Sequence, residues 1–157
     1  MRNYQSEAVK ELHEIAWQEK QKRYAGQPYL TRPEFKVTTA NGLTAAIIAF
    51  LRLKGQQAER INSTGRPIDN RQTYTDVLGH RKTIGSIKWI KGTGTRGTAD
   101  ISATIHGRSV KIEVKIGRDF QSDHQKEYQK QVEAAGGIYF IARTFDQFHA
   151  WYKTTFR

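Results

Sequence analysis

The sequence predicts an α/β fold, a mixed sheet flanked by helices, preceded by a helical extension at the N-terminus. Three observations carry that expectation. Apolar residues recur at helical spacing through Leu43, Ile47, Ile48, Phe50 and Leu51, a broad face for a helix that packs against a core. Two alternating segments, 99–105 and 109–116, flank His106-Gly107-Arg108, a hairpin connection with glycine at the tight turn. A capped helical segment from Ser122 leads through Gly136-Gly137 into the nearly all-apolar 138–142, the pattern of a strand covered on both faces.

Taken in order, residues 3–24 predict a polar amphipathic helix, with Val9, Leu12, Ile15 and Ala16 at helical spacing. Segment 26–40 holds Pro28 and Pro33 and reads as a connector, since each proline biases its predecessor away from helix. Residues 1–40 are thus an extension and linker, and 41–157 the main domain. Its first helix runs over 41–54 and stops at Gly55. A strand is expected at 57–62, with Ala58, Arg60 and Asn62 on one face. Residues 63–83 scatter Gly, Pro, Asn and Asp among charges and read as a long loop, followed by a short strand at 86–90. Together they suggest an insertion at about 63–92. Ser122-x-x-Gln125 is a capping-box signature for a helix to about Ala135. Thr144 caps a last helix through Phe148 and Trp151, whose spacing with Phe145 marks core.

Composition narrows the function. In 157 residues, 26 Lys+Arg stand against 15 Asp+Glu, a formal charge of +11. A polyanion is the expected partner, because clustered cations release counterions from phosphate backbones. The absence of cysteine excludes a disulfide scaffold, thiolate zinc sites and thiol catalysis, and fits a reducing cytoplasm. No apolar run approaches the roughly 20 residues that cross a bilayer, so no membrane partner is expected. The polar stretch 1–22, with Glu7, Glu11 and Glu14, is unlike a signal peptide. Histidines 13, 80, 106, 124 and 149 form no i, i+4 pair, which argues against zinc. The glycine-rich 92–97 precedes a strand rather than a helix, so a dinucleotide-binding loop is not expected. Arg81, Lys82, Lys88, Lys91 and Arg96, interleaved with Tyr74 and Trp89, suit gripping a DNA backbone or stacking an unpaired base; Trp89 fits a core position equally.

The chemistry concentrates on Asp100, Glu113 and Lys115. Glu113 and Lys115 are two apart on one strand and so share a face. Asp100 and Glu113 are about equally far from the turn at Gly107, which sets them nearly opposite, with Cβ atoms about 5 Å apart. Two carboxylates that close repel unless a cation lies between them, and oxygen ligands suit Mg²⁺ or Mn²⁺. Such an ion polarises a phosphodiester, and Lys115 can position a water or stabilise developing charge. The alternative is an ordinary cross-strand charge cluster on a solvated face. Around these residues, 93–100 is a glycine-rich approach to Asp100, and the helix start at Ser122 offers free amides to an anion beside Lys115.

The ordered set Gly97-Thr98-Ala99-Asp100, Glu113-Val114-Lys115, Gly117-Arg118, Ser122-x-x-Gln125 and Gly136-Gly137, with Arg60-Ile61-Asn62 upstream, resembles the VRR-Nuc branch of the PD-(D/E)XK nuclease superfamily over roughly 41–148. The resemblance implies a restriction-endonuclease-like mixed sheet and a Mg²⁺- or Mn²⁺-dependent DNA endonuclease. Members act on branched DNA such as Holliday junctions or flaps, in repair or recombination. Many are stand-alone phage or bacterial proteins that can form homodimers. It implies Asp100, Glu113 and the Val114 carbonyl as metal ligands, Lys115 as catalytic lysine and Gln125 as the motif glutamine. Arg60 and Asn62 would line the cleft; Arg96 and Arg118, and Lys88 and Lys91 in the insertion outside the family pattern, are expected DNA contacts from their charge. The family's glutamate early in the first core helix has no counterpart among Ala40, Asn41 and Thr44, which implies one metal rather than two. Asn41 would hold a metal-bound water or cap the helix. Two other readings stay open: a DNA-binding, replication-associated module that keeps the fold without catalysis, and a sequence-specific restriction enzyme.

Overall fold

A computed structural model describes residues 6–62, 65–90, 92 and 94–156. They group into two compact units, one reaching Ile61 and resuming at Gly97, the other spanning Asn62–Arg96. In chain order the elements are α1 (Glu7–Arg23), α2 (Ala40–Leu53), β1 (Gln57–Arg60), β2 (Arg66–Asp69), β3 (Gln72–Thr75), β4 (Arg81–Ile84), β5 (Ile87–Ile90), β6 (Ile101–Ile105), β7 (Arg108–Val114), α3 (Asp123–Ala134), β8 (Ile138–Ala142) and α4 (Phe145–Thr155). The class is mixed α/β, as the pattern predicts.

The larger unit is a four-stranded sheet in the order β1-β6-β7-β8. The pairs β1–β6 and β6–β7 are antiparallel, whereas β7–β8 is parallel and joined through α3. A parallel pair requires such a crossover. The turn between β6 and β7 holds His106 and Gly107 with φ of 47° and 78°, the left-handed pair that matches strand twist in a two-residue hairpin. That turn fixes the register Ile101↔Ile112 through Ile105↔Arg108, and with it the face of every side chain on both strands.

One sheet face is dry. Val110, Ile112 and Val114 of β7, with Ala58, Ile101 and Ala103, form one cluster with residues of α1, α2 and α4. Phe50 of α2 is its hub. Its ring meets those of Phe145, Phe148 and Tyr152 edge-on at 5.8, 5.8 and 5.2 Å, the geometry aromatic quadrupoles favour. Phe140 of β8 stacks on Trp151 at 4.2 Å. The other face belongs to α3, which buries no residue of its own. Strand β8 is half-buried at an edge of the sheet, not covered on both faces as its apolar run suggests, because it has only β7 as a neighbour and faces polar α3 on one side.

Local signals set the helix ends. Ser6, Thr39, Ser122 and Thr144 are the N-caps, each accepting a backbone N–H three residues on. Asn41 therefore does not cap α2; it lies inside the first turn. The next residue must be glycine, since a Cβ at Gly42 would run into the Lys36 carbonyl of the connector.

Although 1–40 reads from sequence as an extension, α1 contributes Ala8, Val9 and Leu12 to the core, and a polar clamp ties it to α4. Glu11 accepts from Lys153 at 3.0 Å and Lys54 at 3.1 Å and pairs with His149 at 2.9 Å. Burial pushes the Glu11 carboxyl up, but these hydrogen bonds and charges outweigh it and hold the pKa at about 2. A depressed carboxylate pKa stabilises the fold above the unfolded value near 4.5 and loses that contribution as pH falls toward 2. Glu11→Gln is expected to cost on the order of 1 kcal/mol at pH 7, allowing for solvent screening. In thermal melts the difference from the parent protein should vanish near pH 2; a pH-independent difference would rule out the charge as its source.

The smaller unit is where sequence and structure part. The stretch 63–83, expected to be a loop, contains β2, β3 and most of β4, and β5 pairs with β2 instead of joining the main sheet. The registers Arg66↔Ile90 and Thr75↔Arg81 belong to one continuous count, so the four strands are two ladders of a single β-ribbon. Its break falls at Gly85, which has φ of 90° and whose Cβ would strike the Asn70 carbonyl. Asp76 closes the tip by accepting the Leu78 and His80 amides.

Candidate active site

The polar face of β7 runs from exposed Ser109 through half-buried Lys111 to buried Glu113. Glu113 and Lys115 are 2% and 7% exposed, which contradicts the surface-cluster alternative. Continuing the hairpin register one residue beyond Ile101↔Ile112 sets Asp100 opposite Glu113. There the ladder ends: the Asp100 side chain takes the next strand hydrogen bond, Oδ2 accepting the Val114 amide at 2.8 Å, while the Asp100 carbonyl accepts the Ile61 amide at 2.8 Å. Asp100 is thereby fixed against both neighbouring strands.

Glu113 is enclosed by donors. Gln125 donates to Oε1 at 2.5 Å, Lys115 Nζ lies 3.2 Å from the same oxygen, and the Tyr139 hydroxyl donates to Oε2 at 3.4 Å. Gln125 reaches it from the first turn of α3, and its own Oε1 accepts the Ser122 amide at 2.9 Å, so the capping box that starts the helix also orients the glutamine. The loop before Asp100 packs against that helix start: Gly97 has φ of 77°, and a Cβ on it would overlap the His124 carbonyl. Lys115 bridges Glu113 to Asp119 at 3.3 Å. Arg143 donates to the carbonyls of Gly117 at 3.3 Å and Asp119 at 3.2 Å, holding that loop.

The electrostatics follow. Burial and then the neighbouring charge of Asp100 raise Glu113 to about 7, despite Lys115 and Tyr139. Burial works against the Lys115 ammonium, but the hydrogen bond and charge of Glu113, with Asp119 behind, hold its pKa above the ordinary lysine value. The Tyr139 phenol is pushed up by burial and by Glu113. Asp100 and Glu113 thus meet beside the Lys115 ammonium where burial and the Asp100 charge make ionising Glu113 costly, an environment that favours a further positive charge.

Of the residues singled out from sequence, Asp100, Glu113, Val114, Lys115 and Gln125 come together here. Arg60 does not point at Glu113. The register puts it on the side of Ile101, where it donates to Asn41 Oδ1 at 2.7 Å. Arg118 is exposed on the loop after Lys115. Asn62, Arg96 and Lys88 belong to the smaller unit, and Lys91 lies outside the described residues. Trp89 is 65% exposed and is not a core residue. No group of three or more His, Asp or Glu suited to a metal occurs among the described residues. Sequence reasoning passed over Tyr139, Asp119 and Arg143. Asp119 meets Lys115 through the turn of the loop after β7 rather than through any helical spacing, and Tyr139 depends on the parallel register Lys111↔Tyr139, which no local pattern encodes.

No protein-family model and no curated protein matches this chain. Within its own residues, the fold and side-chain cluster define a class: a mixed α/β domain with a buried carboxylate–lysine constellation at the end of a β-hairpin. Among the described residues no helix is long and apolar enough to cross a membrane.

Proposed function

We propose that the protein is a divalent-metal-dependent DNA endonuclease of restriction-endonuclease-like fold that acts on branched or structured DNA. The observation that carries this reading is the convergence of Asp100 and Glu113 beside buried Lys115, with Glu113 raised to about 7. The donor set fits a hard cation: a carboxylate pair whose mutual repulsion a positive ion would relieve. Asp100, Glu113 and the Val114 carbonyl would hold Mg²⁺ or Mn²⁺, which supplies Lewis acidity toward a phosphodiester oxygen when bound. Lys115 keeps a positive charge where the phosphate becomes more negative. Asp119 and Glu113 restrain that ammonium, and Gln125 and Tyr139 hold Glu113 in one orientation. The formal charge of +11 supports a polyanionic substrate bound without sequence preference.

A second reading has one observation in its favour. Asn41, in the first turn of α2, is engaged by Arg60, and no acid stands beside it in that turn to complete a larger metal site; this suits a binding module without catalysis. A titration of Mn²⁺ and Mg²⁺ against a labelled four-way junction and a linear duplex separates the two. Metal-dependent cutting of the junction is the expected result. Bound but uncut DNA at every metal concentration would favour the module, and cutting of plain duplex at one motif would indicate a restriction enzyme.

A further inference from the structure

The ribbon of the smaller unit has exposed side chains throughout β3, β4 and β5. Of the ten large apolar side chains that stand exposed among the described residues, seven belong to it, including Tyr74, Leu78 and Trp89. A bare two-stranded ribbon is marginally stable in water, and exposed apolar surface at this density marks a contact surface.

Charge identifies the partner. Between 62 and 96 there are seven Lys and Arg and two acids, and both acids are neutralised within the ribbon, Asp69 by Arg71 at 2.7 Å and Asp76 by Lys82 at 3.0 Å. Arg66, Arg81 and Lys88 form no ion pair among the described residues. The cations are mixed with apolar groups on the same faces: Arg66 and Lys88 with Ile68 and Ile90 in one ladder, Lys82 with Tyr74 and Ile84 in the other. A membrane-surface element would instead segregate its apolar face from its cations. The opposite face of the tip ladder carries Thr73, Thr75, Thr83 and Arg81, hydroxyl and guanidinium donors suited to phosphates and base edges. A two-stranded ribbon matches the width of the B-DNA major groove.

We propose that the ribbon Arg66–Ile90 is a duplex-binding arm that enters the major groove and supplies a nucleic-acid contact additional to the carboxylate–lysine site. The inference rests on the reading of the protein as one that acts on DNA. The test is fluorescence anisotropy with the full chain and a labelled duplex in EDTA, so that no cleavage intervenes. The triple variant Arg66→Ala, Arg81→Ala, Lys88→Ala is expected to bind at least about tenfold more weakly at 0.1 M salt. Its log–log salt slope should be shallower by about 2 to 3, near 0.9 for each phosphate no longer neutralised. The charge-conserving variant Arg66→Lys, Arg81→Lys, Lys88→Arg should recover most of the binding, which separates removal of charge from a misfolded ribbon. A major-groove ligand such as methyl green should compete, and a minor-groove ligand should not. Unchanged affinity and slope in the alanine variant, failure of the parent protein to bind duplex, or a deficit confined to anionic vesicles would overturn the arm. If the parent protein cuts DNA and the variant binds normally, the arm fails and the nuclease reading stands; duplex binding through the ribbon without cleavage in any metal has the reverse meaning.

Discussion

Asp100→Asn is expected to reduce metal-dependent DNA cleavage by roughly a thousandfold or more, the equivalent of several kcal/mol of lost charge stabilisation. The fold should tolerate the change. Asp100 Oδ2 accepts the Val114 amide, and an asparagine carbonyl oxygen can accept the same bond from the same place. Duplex affinity in EDTA should therefore stay within about twofold of the parent value, as expected for binding carried mainly by phosphate contacts. The substitution also removes the second-largest cause of the elevated Glu113 pKa, so Glu113 should titrate lower in the variant. Full cleavage by the variant with metal present would refute the site.

Glu113→Gln is expected to stabilise the metal-free protein above neutral pH. The unperturbed value is 4.5 and the folded value about 7, so between those limits the folded state binds more protons than the unfolded state. Stability from a raised carboxyl is complete below pH 4.5 and is lost as pH climbs through 7. Removing the ionisable group should restore on the order of 3 kcal/mol at pH 8. Glutamine keeps an oxygen for Gln125 and Lys115 to reach. The check is thermal melting in EDTA from pH 4 to 9: the parent protein's midpoint should fall across that window and the variant's should stay nearly level. Adding Mg²⁺ at pH 8 should raise the parent's midpoint and leave the variant's unmoved. Parallel curves would exclude Glu113 as the titrating group.

The near-opposition of Asp100 and Glu113 was legible because a glycine-bearing connection at 106–108 lets partners be counted outward along both strands; the exact register was not, since Arg108 pairs with Ile105 and the turn is His106-Gly107 alone. The apolar faces of α2 and α4 were legible for a similar reason: Leu43, Ile47 and Phe50 in the first, and Phe145 and Phe148 in the second, recur at the helical period. What sequence did not reveal is whether the face holding Glu113 meets water. That depends on α3 docking across the sheet, and a helix with no buried residue gives no apolar stripe to announce it. The ribbon escaped notice for a related cause. Strand alternation is visible when one face is buried and the other wet; with both faces in water, Gln72–Thr75 and Arg81–Ile84 carry no such contrast. The capping assignment failed locally, because Asn41 and Thr39 are both good cap residues and the close approach of Gly42 to the Lys36 carbonyl selects between them.

The aromatic hub has a consequence for how the chain matures. Phe50 is in place early in translation, yet the rings that enclose it belong to α4, and the Glu11 clamp joins residues separated by 138 and 142 positions. A ribosome-bound chain whose α4 has not yet emerged would display that phenylalanine and the adjoining sheet face to solvent or to a chaperone. Closure then waits until α4 has been synthesised, so the core is completed by residues far apart in the chain.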